Sequence, residues 1–485
     1  MKLKSTMRLL PLKTLLIFFI PVLFANNGFG QHSHPPMPSH IGNEISADRI
    51  LNQIRDLASP GFHGREMGTP GNHQAADWVS LAFSQNGLSA LPGHDDFFLS
   101  FDIHSLSMSD ESYLVADDDS LSLFEEFTSA HYGISGEFDG QPLSVEWGQH
   151  DQYEQDDIAD EIVLISYDDQ ISPYQGSYGM HPSAVWADSL EAEAVILMPP
   201  SYQDFLQQSY RFEPDISIPQ DSEKHIGNTV QPFVKDRQLE TSVILATSDR
   251  EDLFKDASSI SGNIDLDVDQ TAGANNVVGY LGDFEPDSPY IVVSAHLDGH
   301  GLHPDTGVPI FGANRNASGV SVLLEITNAL QEVEESLEYP IIFAAWNGHE
   351  RYHAGRQNFF DSVWTDHENL MSYINLSELS GQKDSTQIDI YGQNESSEIH
   401  PHIQELAEKY ELNFYYREAE YPNNSGNLLL PEALSTQKVG LNGGEYTYTG
   451  RIHDSPDKIN MRQVYGITQF SLELIWNLST LYEPI

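Results

Sequence analysis

Apolar residues recur along this chain in two rhythms. Ile50, Leu51, Ile54 and Leu57 share one face of a helix predicted over Ile45 to Leu57. A second helix, with Ala76, Val79, Leu81 and Phe83, is predicted from about Asn72 to Gln85. Turn-rich stretches separate the two: Ala58-Ser59-Pro60-Gly61-Phe62-His63-Gly64-Arg65 and Gly68-Thr69-Pro70-Gly71. From Asn275 onward the rhythm changes. Continuously apolar runs predict buried strands at Val277 to Leu281, Tyr290 to Ala295 and Ile341 to Trp346. Between the last two, Val320, Leu323, Leu324 and Thr327 follow helical spacing up to about Val333. Ser397 to Tyr410 and Met461 to Leu478 read as further helices. Strands alternating with helices predict an α/β fold whose sheet is mixed, mostly parallel and flanked by helices. Ligands of such sheets bind at the carboxyl ends of the strands. His296-Leu297-Asp298 and Gly348-His349-Glu350 both fall at such ends.

Between these regions the pattern is different. Short strands such as Glu161 to Tyr167 and Ala194 to Met198, and a short helix at Ser183 to Glu191, alternate with long polar loops. This predicts a small inserted α/β domain over 125–248, which splits the larger domain into 45–124 and 249–485. The total of 485 residues agrees, being too long for one compact core.

Composition narrows the function. Asp and Glu number 73 against 23 Lys and Arg, for a formal charge of -50, so nucleic acid is excluded as a partner. No cysteine is present, and with it disulfides and a thiol nucleophile are excluded. No Gly-x-Ser-x-Gly elbow occurs. Lys2, Lys4, Arg8 and Lys13 precede a mostly apolar run from Leu15 to Ala25 that is too short to span a bilayer. Residues 1–30 therefore read as a secretory signal, followed by a flexible linker at 31–44. The expected location is secreted or periplasmic, with no membrane attachment after cleavage.

The chemistry is concentrated in one series of motifs: a buried strand, His296-Leu297-Asp298, the loop Gly312-Ala313-Asn314-Arg315 opening a helix, a second buried strand, His349-Glu350, and a late His453-Asp454-Ser455-Pro456-Asp457. This series resembles metallopeptidase family 28, which holds zinc aminopeptidases together with glutamate carboxypeptidase, glutaminyl cyclases and the transferrin receptor. The resemblance covers about residues 45 to 480, and the insertion looks like a protease-associated domain. It implies metal-ligand roles for His296, Glu350 and His453, with Asp298 orienting His296. It implies a general-base position at 349, here His349. It also implies a carboxylate bridging two zinc ions at position 315 and a terminal carboxylate at 377, where this chain has Arg315 and Ser377.

Those departures bear directly on activity. Two unit charges ~4 Å apart at an effective dielectric of ~20 interact by ~4 kcal/mol, and a divalent ion doubles that repulsion from a guanidinium. Arg315 is better placed as a stand-in for metal, forked onto Glu350 or Asp298. No zinc, or one ion, is then expected rather than two. A single-zinc site would have to draw on His296, His349, Glu350, Glu378 and His453. Two functions follow: a catalytically silent relative that binds a peptide or protein ligand, and an active aminopeptidase with a rewired or single-zinc site. Asn316-Ala317-Ser318 matches a glycosylation signal but opens a helix inside the site loop, which disfavours a glycan there. Glu445-Tyr446-Thr447-Tyr448 either lines a pocket or packs as an ordinary loop on the sheet.

Overall fold

Nine strands build the main sheet: β1 (Phe98–Met108), β2 (Gln231–Phe233), β3 (Leu266–Leu281), β4 (Tyr290–His296), β5 (Ile341–Trp346), β6 (Leu370–Leu376), β7 (Gln387–Tyr391), β8 (Asn413–Arg417) and β9 (Gln437–Asn442). The computed structural model describes residues 36–123, 125–130, 133–146, 158–166, 182–198, 231–233, 239–284, 288–303, 307–350, 353–363, 369–417 and 437–481. The signal-like segment and the start of the linker lie outside them. Among the described residues no helix is long and apolar enough to cross a membrane.

The strand order is β8-β7-β9-β6-β4-β5-β3-β1-β2. The four central strands β9, β6, β4 and β5 run parallel, while β3 and β1 continue the sheet antiparallel on one side. Every residue of β4 and β5 is buried, because helices cover one face and an aromatic layer the other. Ile291, Val293, Ala295, Ile341, Phe343 and Ala345 face the helix side. Val292, Ile342, Ala344 and Trp346 face Phe359, Phe360 and Tyr373. Burial on both sides explains why these strands read as unbroken apolar runs.

The helices that position the site are α1 (Ala47–Leu57), α2 (Pro70–Gln85), α3 (Gly319–Leu330), α4 (Ala354–Asn358), α5 (His400–Lys409) and α6 (Met461–Leu481). Helix α2 starts earlier than its apolar spacing indicates. Pro70 supplies the first helical position, and Thr69 Oγ1 accepts the Asn72 amide at 3.3 Å. Helix α3 is buried almost all round and meets the strand ends at Gly319, where a Cβ atom would come within 2.4 Å of the Leu376 carbonyl oxygen. Glu325 of α3 is fully buried and receives Arg49 Nε and Nη2, each at 2.7 Å, and the Ser46 amide at 2.6 Å. That paired charge fixes α1 against α3.

Strand β3 is longer than its apolar core suggests. Its first residues, Leu266-Asp267-Val268-Asp269-Gln270, mix polar with apolar and pair antiparallel with β1. Two smaller sheets lie between the halves of the main one in sequence. The five-stranded sheet has the order Phe127–Ser129, Ser242–Ala246, Ala194–Met198, Ile162–Ser166 and Pro142–Glu146. The four-stranded sheet joins Asp119–Ser120, Tyr113–Ala116, Ile260–Ile264 and Gly136–Gly140. Their strands therefore begin before residue 125 and end after 248.

Candidate functional site

Three strand ends converge here. β4 delivers His296 and Asp298, β5 leads to His349 and Glu350, and β6 leads to Ser377 and Glu378. A distorted turn, Ala313–Ser318, closes over them before α3 begins. The turn opens on Gly312 at φ 60, a left-handed conformation that glycine adopts freely. Arg315 and Asn316 depart from helical geometry, and the peptide between them is cis.

Neutral amides set the shape of that turn. Asn316 Nδ2 donates to the carbonyls of His296 at 3.3 Å and Leu376 at 3.0 Å. Its Oδ1 accepts the amides of Glu378 at 2.9 Å and Gly319 at 3.2 Å. Asn314 makes a reciprocal pair with the main chain of Ser380, both bonds at 2.8 Å. With no exposed surface and both amide groups bonded, Asn316 cannot accept a glycan in this fold.

Arg315 projects into the centre of the site. Its Nε and Nη2 donate to the two carboxylate oxygens of Glu350, at 2.5 and 3.0 Å, and its Nη1 donates to Glu378 Oε1. Glu378 Oε2 in turn accepts the Thr449 hydroxyl at 2.8 Å. The fork expected from the sequence thus forms on Glu350, with Glu378 as second partner. Burial opposes the charges of Arg315 and Glu350, but their proximity outweighs it. Glu350 and Glu378 hold the guanidinium above its ordinary value despite burial. Arg315, helped by His300 at 3.6 Å, holds the Glu350 carboxyl well below the usual range despite burial.

Asp298 works on the backbone. Its two oxygens accept the amides of His349 and Glu350, each at 2.9 Å, which aims Glu350 at Arg315. His296 Nδ1 lies 3.2 Å from the Asp298 carbonyl and 3.7 Å from its carboxylate. The His296 and His349 rings stack with centroids 3.8 Å apart, and His353 Nδ1 faces His349 Nδ1 at 3.1 Å. Burial, then the neighbouring imidazole of His296 and other groups, hold His349 and His353 well below the usual histidine range. For His353, Arg356 contributes before His296. His349 is therefore a neutral and weakly basic imidazole.

The remaining candidates are placed less centrally. Ser377 is buried, with its hydroxyl lacking a hydrogen-bond partner among the described residues, as does His296 Nε2. His453 is exposed, whereas its neighbour Asp454 is wholly buried. Asp454 accepts the amides of Asn314 at 2.8 Å and Arg315 at 3.0 Å, and burial raises its carboxyl to about 6. Sequence reasoning gave Asp454 no role. Its signal was adjacency to His453 within a motif already picked out. Arg65 was likewise passed over as part of a turn. It is buried and donates to the carbonyls of Leu297 and Gly312, both at 3.0 Å, of Phe311 at 2.9 Å, and of Leu57. Tyr446 and Tyr448 meet edge to face with ring centroids 5.6 Å apart, and burial, then Asp454, raises the Tyr446 hydroxyl.

Residues 276–463 match the model of peptidase family M28. The fold agrees. An aminopeptidase from Aneurinibacillus sp. strain AM-1 superposes with a TM-score of 0.58 at 15% identity, covering 92% of this chain and 97% of that one. A zinc aminopeptidase from Bacillus subtilis superposes with a TM-score of 0.52 at 16% identity, covering 90% and 98%. No curated protein matches the chain in sequence.

The residues present do not fit a pair of zinc ions. Arg315 lies between the carboxylates that would have to serve as ligands, and both are already bonded to it. Among the described residues no three His, Asp or Glu side chains converge as a metal site.

Proposed function

We propose that this protein has exchanged the family's metal centre for an internal Arg–Glu cluster and binds a peptide or protein ligand in the retained cleft without hydrolysing it. The observation that carries the reading is the fork from Arg315 to Glu350, with Glu378 on the remaining nitrogen. A cation so bonded lies between the two carboxylates and screens their repulsion, as a metal ion would. Unlike a metal ion, it offers no open coordination position to water or substrate. The low basicity of His349 supports the same reading, since a general base should titrate near the working pH. The N-terminal pattern of residues 1–30 supports export, and the protein is then secreted or periplasmic. We read the sheets built from residues 113–264 as a protease-associated type of insertion that contributes to ligand binding.

The test is metal content and aminopeptidase activity of the purified full chain. The expected result is no stoichiometric zinc and no turnover of amino-acid amides. Stoichiometric zinc, with activity that a chelator abolishes and zinc restores, would overturn the proposal in favour of a rewired aminopeptidase. The triple variant Arg315→Asp, His349→Glu, Ser377→Asp returns a carboxylate to each altered position. It is expected to gain measurable zinc affinity.

A further inference from the structure

Arg356 in α4, six positions beyond Glu350, is 3% exposed. Its Nε and Nη2 have no hydrogen-bond partner among the described residues. Two other buried arginines show how this chain normally treats such a group. Arg315 is forked onto a carboxylate, and Arg65 is saturated by backbone carbonyls. A buried guanidinium edge whose donors have no partner is disfavoured. Lack of carboxylates is not the cause, since acidic residues outnumber basic ones 73 to 23.

His353, one turn earlier, is kept neutral by burial first and then by Arg356 itself. His349 beyond it is neutral for related reasons. Glu350 is committed to Arg315. The geometry of the free edge is informative. Nε and Nη2 are the two parallel donors of one side of a guanidinium, spaced to meet both oxygens of a carboxylate. Arg315 uses that same edge to hold Glu350.

We propose that Arg356 anchors the carboxylate group of a bound ligand, in a site assigned to no step of peptide hydrolysis. The site stands whether or not the neighbouring cleft is catalytic, because none of its donors belongs to the Arg315 cluster.

Acetate tests this directly. Thermal unfolding of the full chain is followed in rising sodium acetate, with sodium chloride at matched ionic strength as the control. The wild type is expected to show a saturable upward shift in Tm with acetate beyond that with chloride. Arg356→Met should abolish the saturable part. Arg356→Lys, a point charge that cannot fork, should weaken it by about tenfold or more. Without acetate, Arg356→Met should be at least as stable as the wild type, because a lone buried charge has been removed. Three results would overturn the proposal. One is no saturable effect of acetate on the wild type. Another is an equal effect on Arg356→Met. The third is a large loss of stability or failure to fold in Arg356→Met, which would mean that the guanidinium already has a partner within the chain.

Discussion

A guanidinium between two carboxylates cancels their repulsion, and at Arg315 this makes one residue responsible for three charges. Replacing it by an uncharged side chain of similar length leaves Glu350 and Glu378 buried and facing each other. Arg315→Met is expected to lose about 3–5 kcal/mol at neutral pH, read from denaturant midpoints. The loss should shrink in acid. In the wild type the Glu350 carboxyl sits well below its usual range, so its contribution is complete above the ordinary carboxylate pKa and fades as pH falls through the folded value. In the variant the carboxyls have no cation and protonate readily, which restores stability as pH drops. A deficit that stays constant from pH 7 to pH 4 would contradict this account. Asp454 has the opposite sign. Burial raises it from 3.8 to about 6, so the folded chain binds its proton more tightly than the unfolded chain does. Stability from this group rises as pH falls through 6 towards 4. The advantage of the wild type over Asp454→Asn should therefore grow by roughly 3 kcal/mol over that window.

The site is an arrangement of loops, and the loops are held by side chains that reach across sequence. Arg65 is the main clamp, with its guanidinium against carbonyls on both sides of the site. Burial lowers it only to about 10, so it remains a cation at neutral pH. Arg65→Met would leave several buried carbonyls unpaired. The expected cost is about 3 kcal/mol or more, with faster amide exchange around residues 311–314. Unchanged exchange there would show that other contacts suffice. The elements themselves were largely legible in the sequence. Ile341–Trp346 and Ala194–Met198 match their apolar runs, because burial on both faces leaves no room for polar residues. The start of β3 was not legible, since Leu266-Asp267-Val268-Asp269-Gln270 lacks the continuous apolar run by which the core strands were read. Within the site, the residues at strand ends could be found from motif position. Arg65 and Asp454 could not, because their roles depend on carbonyls and amides far away in the chain, which carry no sequence signature.

For the molecule as a whole, the net charge of -50 is spread along the chain and must repel itself. Stability should rise when salt is added, most steeply over the range where the Debye length falls from ~30 Å to ~10 Å. Unfolding midpoints compared at low and moderate salt check this, and a flat response would mean that local pairing already offsets the excess. The Arg315 cluster, by contrast, is buried and should respond little to the same change.

The turn Ala313–Ser318 takes its course from Asn314, Asn316 and Asp454, and none of these bonds involves the Arg315 side chain. The scaffold and its chemical occupant are thus separable. A lineage could exchange carboxylate for guanidinium at position 315 in one step and keep its loops in place. A protein engineer could make the reverse exchange, treating the strand ends as a socket whose contents can be replaced without rebuilding its walls.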